Sequence, residues 1–444
     1  MLCVGRSAAA ARGMTVTEHK ALKRLVRERM ARYGESYTTA RRHVLARAGR
    51  TPLPAGLLPG YDKFGVEWHR ESALVSHVLH HVGAPYTEAV IAGLAGGIGF
   101  MYAVFDYKDM PPLLTIVAQH HPEPWAAAAL GRLGVPFVEE HSGKPAAASK
   151  KLFAALDGGR AALCTVDRSR LPWHGLEPGY GMDPYLVAVV GRDGDMLLVD
   201  DEGPRPNAIA LDDFLAAWSA HKKGRHHMLV VTGPPGDTDL GAAVRDAVAT
   251  TVAHLTGPVL GNSFDVNFGF SGMAKLAEQL RDTRTKTGWA KRFGAPVPFY
   301  HGVRRLYECL ELEYTAPGAT RPTYARFLDE TAEFVPNAAK AAELFTRSGA
   351  TWSRLAGLAL ETTGALGEYA EVAETRLAVM LSRGPDAREE IRELTVRMDA
   401  LAAEYAAQDP LGDAGRAELF VRLAELVEEC LEVERQAAAL LSPQ

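Results

Sequence analysis

The chain has 444 residues, 47% of them hydrophobic, which is enough for two or three domains with sizeable cores. Its formal net charge of −5 at pH 7 argues against general binding to nucleic acid or to anionic membranes. The four cysteines lie far apart without zinc-site spacing, which argues against a disulfide framework and favours a reducing, cytoplasmic location. Neither a signal peptide nor an apolar run of the roughly 18 residues that span a membrane is predicted.

Residues 14–50 form a strongly basic segment that predicts two helices joined by a turn. A basic helical hairpin can contact nucleic acid or an acidic partner protein. A solvated arm that packs on the body explains the same charges, and this interpretation is favoured because only a cluster of like charges supports the alternative. Residues 51–60 contain three prolines and two glycines, which is typical of a linker.

Residues 68–105 predict two short helices that meet at a glycine-rich turn. Apolar side chains recur at helical spacing up to Gly83, a residue suited to a left-handed cap. A second helix begins after Thr87 and ends at the Gly96–Gly97 pair. The glycines of residues 93–99 resemble a nucleotide-binding loop, but they follow a helix rather than a strand, which argues against a dinucleotide site.

From residue 61 to residue 232, helices come first and antiparallel strands follow, which is the segregated pattern of an α+β domain. Residues 185–190 and 196–199 predict two strands joined by an Asp-Gly turn, which is a hairpin signal. A Gly-Pro-Pro-Gly linker at residues 233–236 ends this part of the chain.

From residue 237 to residue 444 the pattern is helical throughout. The last two helices, predicted at residues 388–406 and 414–441, are long and rich in Glu and Arg. We interpret them as an antiparallel pair that forms a solvated hairpin or a dimerisation arm. An oligomer formed through the C-terminal helices is therefore one expected partnership.

Two motifs relate the chain to a known family. His69 opens the first helix and is followed by the turn Gly-Gly-Ile-Gly-Phe, and residues 321–332 contain a Tyr-x-x-Phe-Leu segment. Both motifs resemble the butirosin biosynthesis protein H type of acyltransferase, whose members look like papain-fold cysteine enzymes followed by a helical domain with a YxxFLxEA signature. The resemblance implies a papain-like α+β domain over residues 61–232 and an all-α domain over residues 237–444.

The family carries a His-Cys pair at the start of the first helix, and here Arg70 stands in place of the cysteine. In a papain-like site the helix dipole lowers the pKa of the thiol, and free backbone amides hold an oxyanion. A histidine on a strand deprotonates the thiol, and a neighbouring acid orients that histidine. The resemblance places Tyr185 at the histidine position and Asp200 at the acidic position, so only Asp200 and the accessory His69 remain of the expected set.

Arg70 allows two interpretations. A guanidinium stays protonated and cannot attack a carbonyl, and in the first turn of a helix it opposes the dipole, so it needs an anionic partner. Glu71, Asp200 or Asp201 can provide that partner. Alternatively, Arg70 forms a bidentate clamp for a carboxylate or phosphate of a ligand, such as the phosphopantetheine arm of a carrier protein.

Further candidate residues lie nearby in the sequence. Ser72, on the same helix, is a substitute nucleophile, although no neighbouring base is visible. Cys164 lies mid-strand among apolar residues and is interpreted as inert core. His77 and His81 have the i, i+4 spacing of metal ligands, but no third ligand is readable, so solvated histidines are favoured and no metal site is predicted.

Four residues are candidates for substrate binding: Glu71, Gly97, Asp167 and Trp173. The resemblance places Asp167 and Trp173 beside the cleft. A core or turn role is the more ordinary explanation for both, because an Asp-to-Pro stretch is common in loops.

The expected function is binding of an acyl or aminoacyl thioester, or of its acyl carrier protein, at a site that is degenerate or works without a covalent intermediate. In the second case a small-molecule amine attacks the thioester directly, Arg70 and helix amides hold the oxyanion, and Tyr185 or His69 moves the proton. An active acyltransferase of specialised metabolism that forms an amide is one alternative. A scaffold or nucleic-acid-associated protein that uses residues 14–50 is another, and no cofactor is expected.

Overall fold

The structure is a computed structural model of the chain. It describes residues 26, 27, 40, 53–108, 110–121, 125–176, 184–220, 225–313, 317–362, 365–406 and 411–442. The predicted basic hairpin at residues 14–50 therefore lies almost entirely outside the described residues.

Two short helices open the first part, as predicted. Helix α1 (Arg70–His81) begins after His69, whose side chain accepts a hydrogen bond from a backbone N–H of the first turn. Helix α2 (Glu88–Leu94) is capped in the same way by Thr87. The Glu88 carboxylate also accepts the three backbone N–H groups that lead into α1. These bonds fix the position at which α1 starts.

In the part of the chain that the structure describes, eight strands form two sheets. They are β1 (Ile98–Phe105), β2 (Leu113–Gln119), β3 (Phe137–Glu140), β4 (Ala162–Asp167), β5 (Pro184–Asp193), β6 (Met196–Asp200), β7 (Asn207–Ala210) and β8 (Met228–Val231). Strands β1 and β2 pair with each other, and the remaining six form an antiparallel sheet of order β3-β8-β4-β5-β6-β7. The predicted hairpin is β5–β6. Strand β1 was not predicted because its first six residues are all buried, so the sequence does not alternate.

Three helices accompany the strands, and they are α3 (Trp125–Arg132), α4 (Pro145–Asp157) and α5 (Leu211–Ala220). Helices α4 and α5 pack on the six-stranded sheet through β4, and α3 packs against α1 and α2. This combination of helices with an antiparallel sheet gives the first part of the chain the predicted α+β character.

The remainder of the described chain is helical. Its helices are α6 (Leu240–Thr256), α7 (Gly269–Arg281), α8 (Trp289–Arg292), α9 (Pro296–Tyr307), α10 (Arg321–Glu330), α11 (Ala338–Thr362), α12 (Ala365–Arg383), α13 (Arg388–Ala406) and α14 (Gly412–Leu441). Within the described residues, no helix combines the length and the apolar character needed to cross a membrane.

The predicted pairing of the last two helices is wrong. Helix α14 packs mainly against α11 and α7, whereas α13 packs against α12. Helix α14 is not a solvated arm, because a stripe of its side chains is buried along most of its length. The sequence of α14 does not reveal that the helix is buried, because one residue of the buried stripe is the charged Glu434, which is 0% exposed.

The two predicted domains share one hydrophobic core, and the glycine-rich turn packs directly on α10. A Cβ atom at Gly93 would lie 2.1 Å from the ring of Phe327. A Cβ atom at Gly97, where φ is +69°, would lie 2.5 Å from the ring of Tyr324. The two sequence motifs that carry the family resemblance therefore meet in space, and glycine is what allows the contact.

A fully buried ion pair ties α10 to α14. Arg321 donates two parallel hydrogen bonds of 2.8 Å to Glu434, and both side chains are 0% exposed. The guanidinium also donates to the carbonyl of Ala118 in β2, and Glu434 accepts from Ser348 and Trp352 in α11. A buried pair is compatible with a stable fold when its remaining polar atoms are satisfied in this way.

Removal of one member of this pair is predicted to destabilise the protein strongly. Arg321→Met leaves the Glu434 carboxylate buried without its cation, so we expect the free energy of unfolding, measured by urea denaturation, to fall by about 3–5 kcal/mol. The double variant Arg321→Met/Glu434→Leu should recover much of this loss because it leaves no buried charge.

The exposed pair Arg281–Glu428 is a matched control, because it joins α7 to the same helix α14 at 2.8 Å. Arg281→Met should cost less than about 1 kcal/mol. Equal losses for Arg281→Met and Arg321→Met would show that the buried pair is not the main tie between these helices.

Candidate functional site

Arg70 and Tyr185 face each other where α1 meets the sheet. Arg70 is the first residue of α1, and Tyr185 lies at the start of β5, against which α1 packs. The guanidinium carbon of Arg70 lies 3.8 Å from the centre of the Tyr185 ring, which is cation–π distance. A guanidinium N–H of Arg70 also donates to the carbonyl of Leu186. The predicted meeting of the first helix with the strand of Tyr185 is therefore present.

Three carboxylates surround the Arg70 cation. Its guanidinium lies 3.4 Å from Glu71 and 3.9 Å from both Asp201 and Glu202. Burial alone would lower the pKa of Arg70, but Tyr185 and these carboxylates raise it above its usual value. Carboxylates of the protein thus balance the charge of Arg70, which agrees with its interpretation as a paired residue. A negatively charged ligand would have to compete with these carboxylates for the guanidinium.

Asp201 is the centre of a buried hydrogen-bonded cluster, which we call the Asp201 cluster. Its carboxylate accepts from the Tyr185 hydroxyl at 2.8 Å, and lies 2.9 Å from both Trp173 Nε1 and His174 Nε2. Burial would raise the pKa of Asp201, but His174 and Arg70 hold it below its usual value. An ionised Asp201 therefore orients three side chains.

Asp200, the acid expected beside Tyr185, lies elsewhere. Its carboxylate accepts a hydrogen bond from Tyr61 at 2.7 Å and lies 2.9 Å from His77 Nδ1. Successive residues of an extended chain point to opposite sides, so the neighbour Asp201 takes the place that the resemblance assigned to Asp200. The acid that contacts Tyr185 is one residue further along the chain than predicted.

His77 is not the solvated histidine that the sequence favours, whereas His81 is partly exposed. His77 is 8% exposed and bonded to Asp200, and His81 Nε2 lies 2.9 Å from the carbonyl of Gly159. Burial would lower the pKa of His77, but the charge and hydrogen bond of Asp200 raise it above its usual value. The i, i+4 spacing thus reflects two separate packing contacts.

His69 and Ser72 form a second contact group in the first turn of α1. His69 Nδ1 lies 2.9 Å from Ser72 Oγ, and His69 Nε2 lies 2.7 Å from Gln119 Oε1 at the end of β2. A base for Ser72, which the sequence did not reveal, is therefore present. Ser72 is 0% exposed, however, so capping of α1 explains this group better than nucleophilic attack.

The other candidates serve packing or turns. Gly97 lies against Tyr324 in the core, so close packing explains the need for glycine at this position. Asp167 accepts hydrogen bonds from the backbone and the hydroxyl of Ser169, as a turn residue does. Cys164 is fully buried and burial raises its pKa, which confirms the expectation of an inert core thiol.

A cavity of about 160 Å³ opens beside the Asp201 cluster. The first part of the chain contributes Arg168, His174 and Glu202 to one wall. The helical part forms the opposite wall, which includes Glu308, Leu312, Ala373, Leu377, Met380 and Asp399. Arg376 of α12 crosses between the walls, because it donates to the carbonyl of His174 and, at 2.7 Å, to Thr395 Oγ1. Both parts of the chain therefore build the cavity.

His174 is the residue that sequence reasoning missed. It lines the cavity, and its ring meets that of Tyr185 edge-on with 5.2 Å between the centroids. Burial lowers the pKa of His174 below its usual value although Asp201 opposes this shift, which favours the neutral imidazole at pH 7. A neutral imidazole oriented by a buried carboxylate is the arrangement of a general base. The available signal was its position next to Trp173, a residue that the sequence did single out.

Comparison with known families identifies both parts of the chain. Residues 69–202 match the family described as butirosin biosynthesis protein H, N-terminal. Residues 215–387 match a domain of unknown function (DUF4872). The chain therefore carries a butirosin biosynthesis protein H-like N-terminal domain and a second domain C-terminal to it, as the resemblance predicts. None of the curated proteins matches it. Strand β8 belongs to the second match, although it lies between β3 and β4 in the sheet.

The His77–Asp200 contact predicts a pH-dependent contribution to stability. Because the folded-state pKa of His77 is raised, its contribution is complete below the unfolded-state pKa of about 6.5 and is lost as the pH rises through the folded-state pKa. We therefore expect His77→Gln to reduce the free energy of unfolding more at pH 6 than at pH 9, as measured by urea denaturation.

The partly exposed His80 provides the control for this experiment, and His80→Gln should change stability little at either pH. A loss for His77→Gln that is the same at pH 6 and pH 9 would contradict the raised pKa.

Proposed function

We propose that the cavity beside the Asp201 cluster binds an acyl or aminoacyl thioester, presented by an acyl carrier protein, without forming a covalent intermediate. The observation that carries the proposal is the Arg70–Tyr185 stack, which occupies the place where the family resemblance expects a thiol and its base. A guanidinium is not a nucleophile. Burial and the neighbouring carboxylates raise the pKa of Tyr185 well above its usual value, so its hydroxyl is not a base at neutral pH.

We also infer that the first part of the chain is a papain-like fold whose nucleophile position has acquired a structural role. The support is the arrangement of α1, whose first turn abuts the start of β5 in an antiparallel sheet. The Arg70 contacts with Tyr185, Leu186 and Asp201 hold these two elements together. The three described cysteines, Cys164, Cys309 and Cys430, are all buried, so the described chain offers no accessible thiol for acyl transfer.

The lining of the cavity suits a small polar acyl group and an amine. Guanidinium groups of Arg168 and Arg376 are suited to carbonyl or phosphate oxygens, and the Glu202 carboxylate is suited to an ammonium group. Apolar side chains such as Met380 and Leu377 provide contact for the acyl carbons. At about 160 Å³, the cavity accommodates an acyl or aminoacyl group, and the rest of a carrier arm would extend outside it.

Direct aminolysis of the bound thioester is a second candidate function, and the His174–Asp201 pair favours it. The amine nitrogen forms a bond to the carbonyl carbon while His174 accepts the proton that the nitrogen loses. The carbon–sulfur bond then breaks, and the thiol leaves with that proton, so the products are an amide and a free thiol. His174 replaces Tyr185 and His69 as the group that moves the proton in this scheme.

Filling the cavity is predicted to abolish thioester binding. Ala373 lies in the cavity wall on α12, so Ala373→Phe places a ring in the space for the acyl group. With S-acetyl-pantetheine as the probe, we expect the dissociation constant measured by calorimetry to rise by at least about tenfold, equivalent to 1.4 kcal/mol.

Glu371→Phe is the matched control, because it places the same ring on the exposed side of the same helix. This variant should bind the probe like the unaltered protein. Unchanged binding by a folded Ala373→Phe protein, verified by circular dichroism, would refute the cavity as the binding place.

Removal of the imidazole tests turnover separately from binding. If aminolysis occurs, His174→Asn should lower kcat by about 10²–10⁴-fold with little change in probe affinity. Because burial lowers the pKa of His174, kcat/KM of the unaltered protein should rise with pH through a pKa below about 6.5 and then level off. The rise of kcat/KM with pH should be absent in His174→Asn. Intact-mass analysis of the unaltered protein should show no acylated protein.

Two results would count against this scheme. An acyl adduct on the unaltered protein would show that the reaction is covalent. A pH profile that His174→Asn leaves unchanged would show that another group accepts the proton.

A further inference from the structure

A cluster of metal-ligand side chains lies at the edge of the six-stranded sheet and shares no residue with the Asp201 cluster or the cavity. It consists of Glu139, His141 and His227, whose ligand atoms all lie within 4.8 Å of one another. Glu139 belongs to the edge strand β3, His141 follows that strand, and His227 immediately precedes β8. Two imidazoles and one carboxylate are ligand types that Zn²⁺ prefers.

The strand register explains why these three side chains converge. Strands β3 and β8 are antiparallel, with Glu140 opposite Met228, so the next pair outward is His141 opposite His227. Directly opposed residues of an antiparallel pair project from the same face, and so do residues two apart on one strand. Glu139, His141 and His227 therefore share one face of the sheet, and the rings of the two histidines lie 4.9 Å apart.

A hydrogen bond to a residue outside the cluster orients the ring of His227. His227 Nδ1 lies 2.8 Å from the hydroxyl of Thr165 on the neighbouring strand β4. Histidine ligands of metals are commonly held through their second ring nitrogen in this way, which directs the first nitrogen at the ion. Here the first nitrogen, Nε2, points at Glu139 Oε1 at 2.7 Å. The ring is thus held in place before any ion binds.

We propose that Glu139, His141 and His227 bind a divalent cation of the zinc class, with a fourth position open to water. Zn–ligand bonds are about 2.0–2.2 Å long, so rotamer adjustments of about an ångström bring the three ligand atoms onto one ion. The ion replaces the His227–Glu139 hydrogen bond and cross-links the edge strand β3 to β8. Its binding therefore stabilises this edge of the sheet.

Zinc titration of the metal-free full-length protein tests the proposal. Competition with a chromophoric chelator should reveal one site that His141→Ala, His227→Ala and Glu139→Gln each weaken by at least about tenfold. Zn²⁺ should also raise the Tm of the unaltered protein but not that of His141→Ala. With Co²⁺ as the probe, visible absorption bands should report coordination by nitrogen and should be lost in His141→Ala.

The control is His80→Ala, which removes a partly exposed histidine 3.6 Å from the carboxylate of Asp62, outside the cluster. This variant should keep the site, and it accounts for binding by surface histidines. His141 is itself exposed, so its removal is not expected to prevent folding. Equal zinc affinity for the unaltered protein and His141→Ala would overturn the proposal and leave Glu139 and His227 as a simple hydrogen-bonded pair.

Discussion

The buried pair Arg321–Glu434 is the constraint on which the arrangement of both parts of the chain depends. A charge without a partner in this interior is very costly, so α10, α11 and α14 must meet β2 in the one geometry that satisfies every polar atom of the pair. Helix α10 is thereby pressed against the glycine-rich turn, where Gly93 and Gly97 leave room for aromatic rings. The turn leads from α2 into β1, so this single pair positions the helical part relative to the first.

Local signals in the sequence predict much of this architecture. Periodicity, caps and the Asp-Gly turn predict α1, α2 and the β5–β6 hairpin because each signal acts within a few residues. The choice of partner for α14 is not local. Glu434 looks like a solvent-exposed residue until its partner is known, and Arg321 lies 113 positions away. Strand β1 escapes prediction for a related reason, because it is buried on both faces and its apolar residues do not alternate.

The candidate site likewise combines features that the sequence predicts with features that depend on distant residues. The facing of Arg70 and Tyr185 follows from the family resemblance, which aligns whole elements rather than single side chains. The exchange of Asp200 for Asp201 does not follow from it, because two adjacent aspartates at the end of a strand differ only in the side to which they point. The cavity could not be predicted at all, since half of its wall comes from α12 and α13, more than 160 residues further along the chain.

Under the proposed function, the Arg70–Tyr185 stack also explains how a site can lose one chemistry and retain another. A catalytic cysteine is reactive because its surroundings lower the pKa of the thiol and leave the sulfur partly accessible. The guanidinium and phenol that stand here are satisfied by each other, by the Leu186 carbonyl and by Asp201, so they contribute to packing. Asp201 meanwhile keeps an acceptor oxygen for His174, whose ring lines the cavity. Under the proposed function, proton transfer therefore depends on His174, in the loop after β4, rather than on a residue of β5. The same buried acid, Asp201, contacts both His174 and Tyr185.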